Sequence, residues 1–188
     1  MTTTNRYNGK LIGLTGKARS GKDTVGNYLV QYRRFQRMAF ADPLKLAMAV
    51  TFGLGVLEFH DDKLKDEVDV RWGITRRQML QRGADAIRAE FGQSHYINLL
   101  LHSYQPVAGI DNVVITDVRS DAEAEAIRDL GGVIILIHRD GVGLTGSAAA
   151  HHTENGVSDK LIDRIIVNNY DKAEAYVMMD IILNEEFS

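Results

Sequence analysis

Apolar residues follow two rhythms in this chain. Short, nearly unbroken runs read as buried strands at 10–15, 35–41, 112–117, 133–137 and 164–167. Between them, apolar residues return every third or fourth position, the period of a helix with one buried face. The first helix runs over about 21–34. Asp42-Pro43 opens a second, since proline suits a first helical turn, and Gly53 and Gly55 end it. Thr75 reads as the N-cap of a helix to Phe91 whose inward residues are Met79, Leu80, Ala84, Ile87 and Phe91. Ser94 opens another, with Tyr96, Ile97, Leu99, Leu100 and Leu101 buried. Asp121 caps a helix that Gly131-Gly132 stops. Asp171 starts the last, with Ala175, Met178, Met179 and Ile182 inward. The densely charged stretch 58–71 reads as a solvated, mobile face, and 139–160 as loop.

Helices alternating with short buried strands give an α/β fold: a doubly wound parallel sheet of about five strands, joined by right-handed crossovers, with helices on both faces. Ligands of such sheets bind at the carboxyl ends of strands. Thr15, Ala41-Asp42 and Asp117 all fall on that rim.

A length of 188 residues suits one domain with a small inserted helical region, and 45% hydrophobic residues suffice for its core. The polar start, the absence of a 20-residue apolar run and the lack of cysteine predict a cytoplasmic protein that crosses no membrane and holds no thiolate metal. The net charge of -3 hides an asymmetry. Residues 1–94 carry 16 Lys and Arg against 10 Asp and Glu, while 95–188 carry 6 against 15. A basic first half predicts a polyanionic small ligand. Nucleic acid is not expected, for no basic tract carries interleaved aromatics.

The chemistry concentrates in Gly16-Lys17-Ala18-Arg19-Ser20-Gly21-Lys22-Asp23-Thr24, between the first strand and the first helix. Two glycines with four residues between them, then lysine, form a phosphate-binding loop: N–H groups turn inward around an anion, the helix adds its positive end, and Lys22 adds a full charge. Asp23 stands where Ser or Thr usually ligates magnesium. It is either a dipole partner or a magnesium ligand, and Thr24 is free to bond an inner phosphate. Asp117 ends its strand in a Walker-B-like way and is the second candidate metal ligand. Arg119, two residues on, can clamp a transferring or accepted phosphate. Arg139 precedes the glycine-rich loop and can reach the same phosphates. Arg76, Arg77, Arg82 and Arg88 share one helix, with Arg77 and Arg88 on one face. His151-His152-Thr153-Glu154 lacks the spacing of a helical zinc pair and reads as a surface loop or a lid.

The phosphate loop, Phe40-Ala41-Asp42-Pro43-Leu44-Lys45, Thr75-Arg76-Arg77-Gln78-Met79-Leu80-Gln81, Val114-Ile115-Thr116-Asp117-Val118-Arg119, Ala122–Ile127, Gly131-Gly132, His151–Glu154 and Asn168-Asn169 together resemble the deoxynucleoside monophosphate kinase family, in that family's order. The resemblance implies a single P-loop kinase domain over 1–188, with a helical acceptor-binding region at about 43–104 and a lid-like loop at about 140–160. It implies transfer of the γ-phosphate of ATP to a deoxynucleoside monophosphate, with Mg²⁺ and often a dimer, in host cytoplasm if phage-encoded. The residues it points to are Lys22 on the ATP phosphates, Asp42 and Lys45 bordering the acceptor and Arg88 at the family's arginine position; Arg119, from its place at the strand rim, and Arg77 and Glu154 are further candidates around the acceptor. Arg76 replaces the family's usual proline, and Tyr96 stands where tryptophan is common. A kinase for another phosphorylated metabolite and a non-catalytic nucleotide-binding module are the other readings.

Overall fold

The computed structural model describes residues 9–92, 94–103, 111–143 and 156–187. They fall into two compact units, one from the two ends of the chain and one spanning Phe40–Ser103.

The first unit is built on a five-stranded parallel sheet. Its strands are β1 (Leu11–Thr15), β2 (Phe35–Met38), β5 (Asn112–Ile115), β6 (Val133–His138) and β7 (Arg164–Val167), in the order β2-β5-β1-β6-β7. Strand β1 lies between its partners, with Ile12 opposite Val114 on one side and Val133 on the other. One face of the sheet carries Ile12, Leu14, Ile135, Ile137 and Ile166. They pack against Val25 and Leu29 of α1 (Lys22–Arg33) and Met179, Ile182 and Leu183 of α6 (Lys172–Glu186). Each such side chain taken fully from water is worth about 1.5–3 kcal/mol, which makes this layer the main stabilising element of the sheet unit. Helix α5 (Asp121–Asp129) packs on the opposite face, where Ile127 approaches Gly13.

Two helical details differ from the sequence reading. The cap of α5 is Ser120, which accepts from the Glu123 N–H while Glu123 reaches back to the Ser120 N–H. A serine three residues before a glutamate makes a reciprocal box, which outcompetes Asp121. In α6 the inward face turns toward Leu183, leaving Met178 41% exposed.

The second unit contains α2 (Asp42–Phe52), a hairpin of β3 (Val68–Asp69) and β4 (Ile74–Thr75), α3 (Arg76–Phe91) and α4 (His95–Ser103). Thr75 caps α3, as its sequence predicts, in a box with Gln78, whereas Phe91 at the other end of the helix, expected inward, is 69% exposed. Gly83 lets α2 approach α3: a Cβ there would stand 2.7 Å from Met48 Sδ. Most charged side chains of the stretch 58–71 face solvent, as expected, but its backbone is not featureless. It folds into two 3-10 turns and the hairpin. Arg76, buried at the start of α3, donates to Glu58 and to the Leu64 carbonyl and stands 3.6 Å from buried Asp69. Buried charge must be paired, so these ion pairs hold the stretch in place.

Candidate active site

Strand β1 ends at buried Thr15, and the chain then turns through a loop that only particular residues can make. Gly16 has φ 137°, and a Cβ there would meet the Ile137 carbonyl at 2.3 Å. Gly21 has φ 106°, and its Cβ would meet Asn168 Nδ2 at 2.2 Å. Between them Arg19 has φ 65°, a left-handed conformation rare outside glycine and characteristic of functional loops. Lys22 opens α1 and folds back, donating its Nζ to the Gly16 carbonyl at 2.7 Å and the Lys17 carbonyl at 2.8 Å. Gly21, the N-cap, has no side chain to bond the first-turn N–H groups, which leaves them for an anion. The enclosed Ser20 Oγ has no hydrogen-bond partner among the described residues, a further group for a phosphate oxygen.

The loop borders a cavity of about 260 Å³ whose walls include Gly16, Lys17, Ala18, Lys22, Arg119 and Arg139. Arg119 and Arg139 are exposed there, while Asp117 is not among the lining residues. Buried Glu123 accepts from the Arg119 N–H at 2.7 Å and so fixes the backbone from which that arginine projects. Beyond β6, His138 Nε2 lies 3.0 Å from Asp140 Oδ1, and Asn169 donates to the other carboxylate oxygen. His138, then Asn169, hold the Asp140 carboxyl below its ordinary value. Thr24 is half-buried behind Asp23, which is exposed on the first turn of α1.

The remaining expected residues lie in the helical unit. Lys45 Nζ donates to Asp42 Oδ1 at 2.8 Å along α2. Arg77 forks onto Asp66 at 2.7 and 3.1 Å. Arg88 projects from α3 over the ring of Tyr96, its guanidinium carbon 5.4 Å from the ring centre. Glu154, with His151 and His152, lies outside the described residues, as does most of the expected lid.

Asn168 and Glu123 were not anticipated as site residues. The Ser120-x-x-Glu123 spacing was a signal for Glu123. Asn168-Asn169 stands among the segments that carry the resemblance, but nothing nearby in sequence gives the partner of Asn168, a backbone carbonyl far along the chain.

The sequence profile described as deoxynucleotide monophosphate kinase matches residues 10–69 and 54–177. The chain belongs to that family. It is a nucleotide kinase, a phosphotransferase. A protein of Acanthamoeba polyphaga mimivirus that carries the family's name is 35% identical over 88% of this chain and 92% of its own. The deoxynucleotide monophosphate kinase of Enterobacteria phage T4 is 23% identical over 89% of this chain and 95% of its own. Among solved structures, a shikimate kinase from Acinetobacter baumannii in complex with shikimate covers 97% of both chains at 13% identity and a TM-score of 0.46. No helix among the described residues is long and apolar enough to cross a membrane.

Proposed function

We propose that this kinase moves the γ-phosphate of ATP to a deoxynucleoside monophosphate, giving the diphosphate and ADP. The observation that carries the reading is the loop between β1 and α1. Its backbone is turned inward at Gly16 and Gly21, and Lys22 is held at its edge by two carbonyls.

Phosphoryl transfer asks little covalent chemistry of a protein. It asks for in-line positioning and for cations where charge develops. Lys22 and the N–H groups of the first turn of α1 take the donor phosphates. Arg119 and Arg139 in the cavity wall offset the charge on the transferring group. In the helical unit, Arg88 binds the acceptor phosphate, because a guanidinium offers two parallel donors to one phosphate where lysine offers a point charge. Asp42, Lys45 and Arg77 border the acceptor in this reading.

The donor set also fits magnesium. Among the described residues no group of three or more metal-binding side chains gathers in one place. Mg²⁺ takes one or two carboxylates and completes its shell with water and phosphate oxygens. Asp23 and Asp117 would supply the carboxylates. The bound ion would withdraw charge from the phosphate oxygens.

The test is ADP release from ATP, measured across the deoxy- and ribonucleoside monophosphates. Acceptor-dependent ADP with a deoxynucleotide supports the assignment. Tight ATP binding with no acceptor-dependent release by any of them overturns it.

A further inference from the structure

Two polar atoms in the helical unit are enclosed and have no hydrogen-bond partner among the described residues: Arg88 Nη1 and Tyr96 Oη. They belong to neighbouring side chains. The Arg88 guanidinium lies against the Tyr96 ring, and α3 packs on α4. Tyr96 is 5% exposed and packs with Leu44 and Ala84. The nearest charge on Arg88 is Asp85 Oδ1, 3.9 Å from Nη1 and beyond hydrogen-bond range.

Enclosed polar atoms without partners are rare in native proteins, and here two belong to side chains that touch. Their chemistry restricts what completes them. A guanidinium only donates. Burial pushes the Tyr96 phenol up, so it keeps its proton and donates as well. Two donors, one of them cationic, call for an acceptor atom that carries negative charge. Asp85 offsets part of the guanidinium charge from 3.9 Å without taking its hydrogen bond, and the open donors suit the oxygens of an anion.

We propose that Tyr96 Oη and Arg88 Nη1 both donate to the acceptor nucleotide's phosphate, so that the Tyr96 hydroxyl is a second anchor of the acceptor site. The inference rests on the assignment of Arg88 to the acceptor. Tyr96 thereby serves twice, its ring supporting the guanidinium and its hydroxyl sharing the guanidinium's ligand.

Tyr96→Phe removes the hydroxyl and keeps the ring. Three quantities are compared with the unmodified chain: the melting temperature without ligand, its rise on adding inorganic phosphate, and the steady-state constants for acceptor and ATP. The expected variant melts no lower without ligand, because an unpaired buried hydroxyl has been removed. Its phosphate-induced rise is smaller; the phosphate loop contributes equally in both chains and cancels. Its acceptor KM is raised roughly 10- to 100-fold, the worth of a hydrogen bond to a charged group, with kcat and the ATP KM little changed. A variant that melts lower but binds phosphate and acceptor normally overturns the proposal in favour of a structural hydroxyl. A variant unchanged in all three overturns it in favour of a buried water. If the unmodified chain phosphorylates no nucleoside monophosphate, the proposed function fails, and the phosphate comparison still decides the Tyr96 site.

Discussion

Asn168 Nδ2 donates to the Ser20 carbonyl at 2.8 Å, tying the end of β7 to the phosphate loop across 148 positions of sequence. The same amide group stands where a side chain at Gly21 would go. One asparagine therefore fixes both the direction of the Ser20 peptide and the identity of the residue after it. Asn168→Ala should weaken ATP binding by about 1 kcal/mol, roughly fivefold in Kd, and leave the fold intact. Gly21→Ala should weaken it further, since it adds about 1–3 kcal/mol of backbone strain to the clash with Asn168. Titration calorimetry with ATP measures both. Full ATP affinity in Gly21→Ala would show that Asn168 does not shape the loop.

Lys22→Ala removes the one full charge that the loop holds by its own carbonyls. Its side chain contributes nothing to the packed layer beneath, so thermal unfolding should be unchanged. Turnover should fall on the order of 10²-fold or more, the scale of losing a preorganised charge donor. Turnover near normal would contradict the assignment of this loop to the phosphates.

Arg88→Lys keeps the charge and loses the fork. The acceptor kcat/KM should fall by about 1.5–3 kcal/mol for the lost charged contact, while ATP affinity measured by titration stays close to normal. The reverse pattern, poor ATP binding with normal acceptor kinetics, would place Arg88 on the donor side.

Arg76 is 9% exposed in its side chain and faces two carboxylates, Glu58 and Asp69. Arg76→Ala strands Glu58, leaves Asp69 to Arg71 alone and opens a gap at the start of α3. The cost should be about 3 kcal/mol, the lower end for breaking a buried ion pair. Urea denaturation followed by Trp72 fluorescence reads it, because the only tryptophan lies beside Arg71 on the same hairpin and donates its indole N–H to the Phe52 carbonyl.

Asp69 gives the helical unit a specific acid limit. Hydrogen bonds from the Arg71 guanidinium lower its carboxyl from 3.8 to about 2. A carboxyl lowered on folding stabilises the native state above its ordinary value and loses that contribution as the pH falls through its folded value. The Trp72 signal should therefore report loosening between pH of about 4 and about 2. Asp69→Asn should lose stability at neutral pH and flatten that part of the profile. An unchanged acid profile in Asp69→Asn would remove Asp69 from the account.

The phosphate loop was legible because its requirement is local: two glycines at fixed spacing, with a lysine just inside a helix. The strands were legible because burial on both faces leaves unbroken apolar runs. What escaped was long-range or reciprocal. The bond from Asn168 to Ser20 joins an amide to a backbone carbonyl and leaves no pattern in either stretch. Glu58 and Asp69 look like the rest of the solvent-facing charge at 58–71 because the cation that holds them, Arg76, lies beyond the stretch. Asp121 and Ser120 are both good caps, and only the reach of Glu123 decides between them. Met178 has the right period for the core, and the angle at which α6 lies on the sheet turns it outward.

The strand order also constrains how the enzyme is made. Strand β1 precedes the other strands in sequence, yet its neighbours are β5 and β6, and among the described residues β2 pairs only with β5. A nascent chain that ends before residue 112 holds two strands of this sheet with no partner for either. Pairings so distant in sequence form slowly, because a long loop must close before they are rewarded. The loop between β1 and α1 is thus translated well before the strands that fix its position. Until β5 and β6 arrive, its flanking strand is an unpaired apolar edge of the kind that chaperones hold and that aggregation recruits.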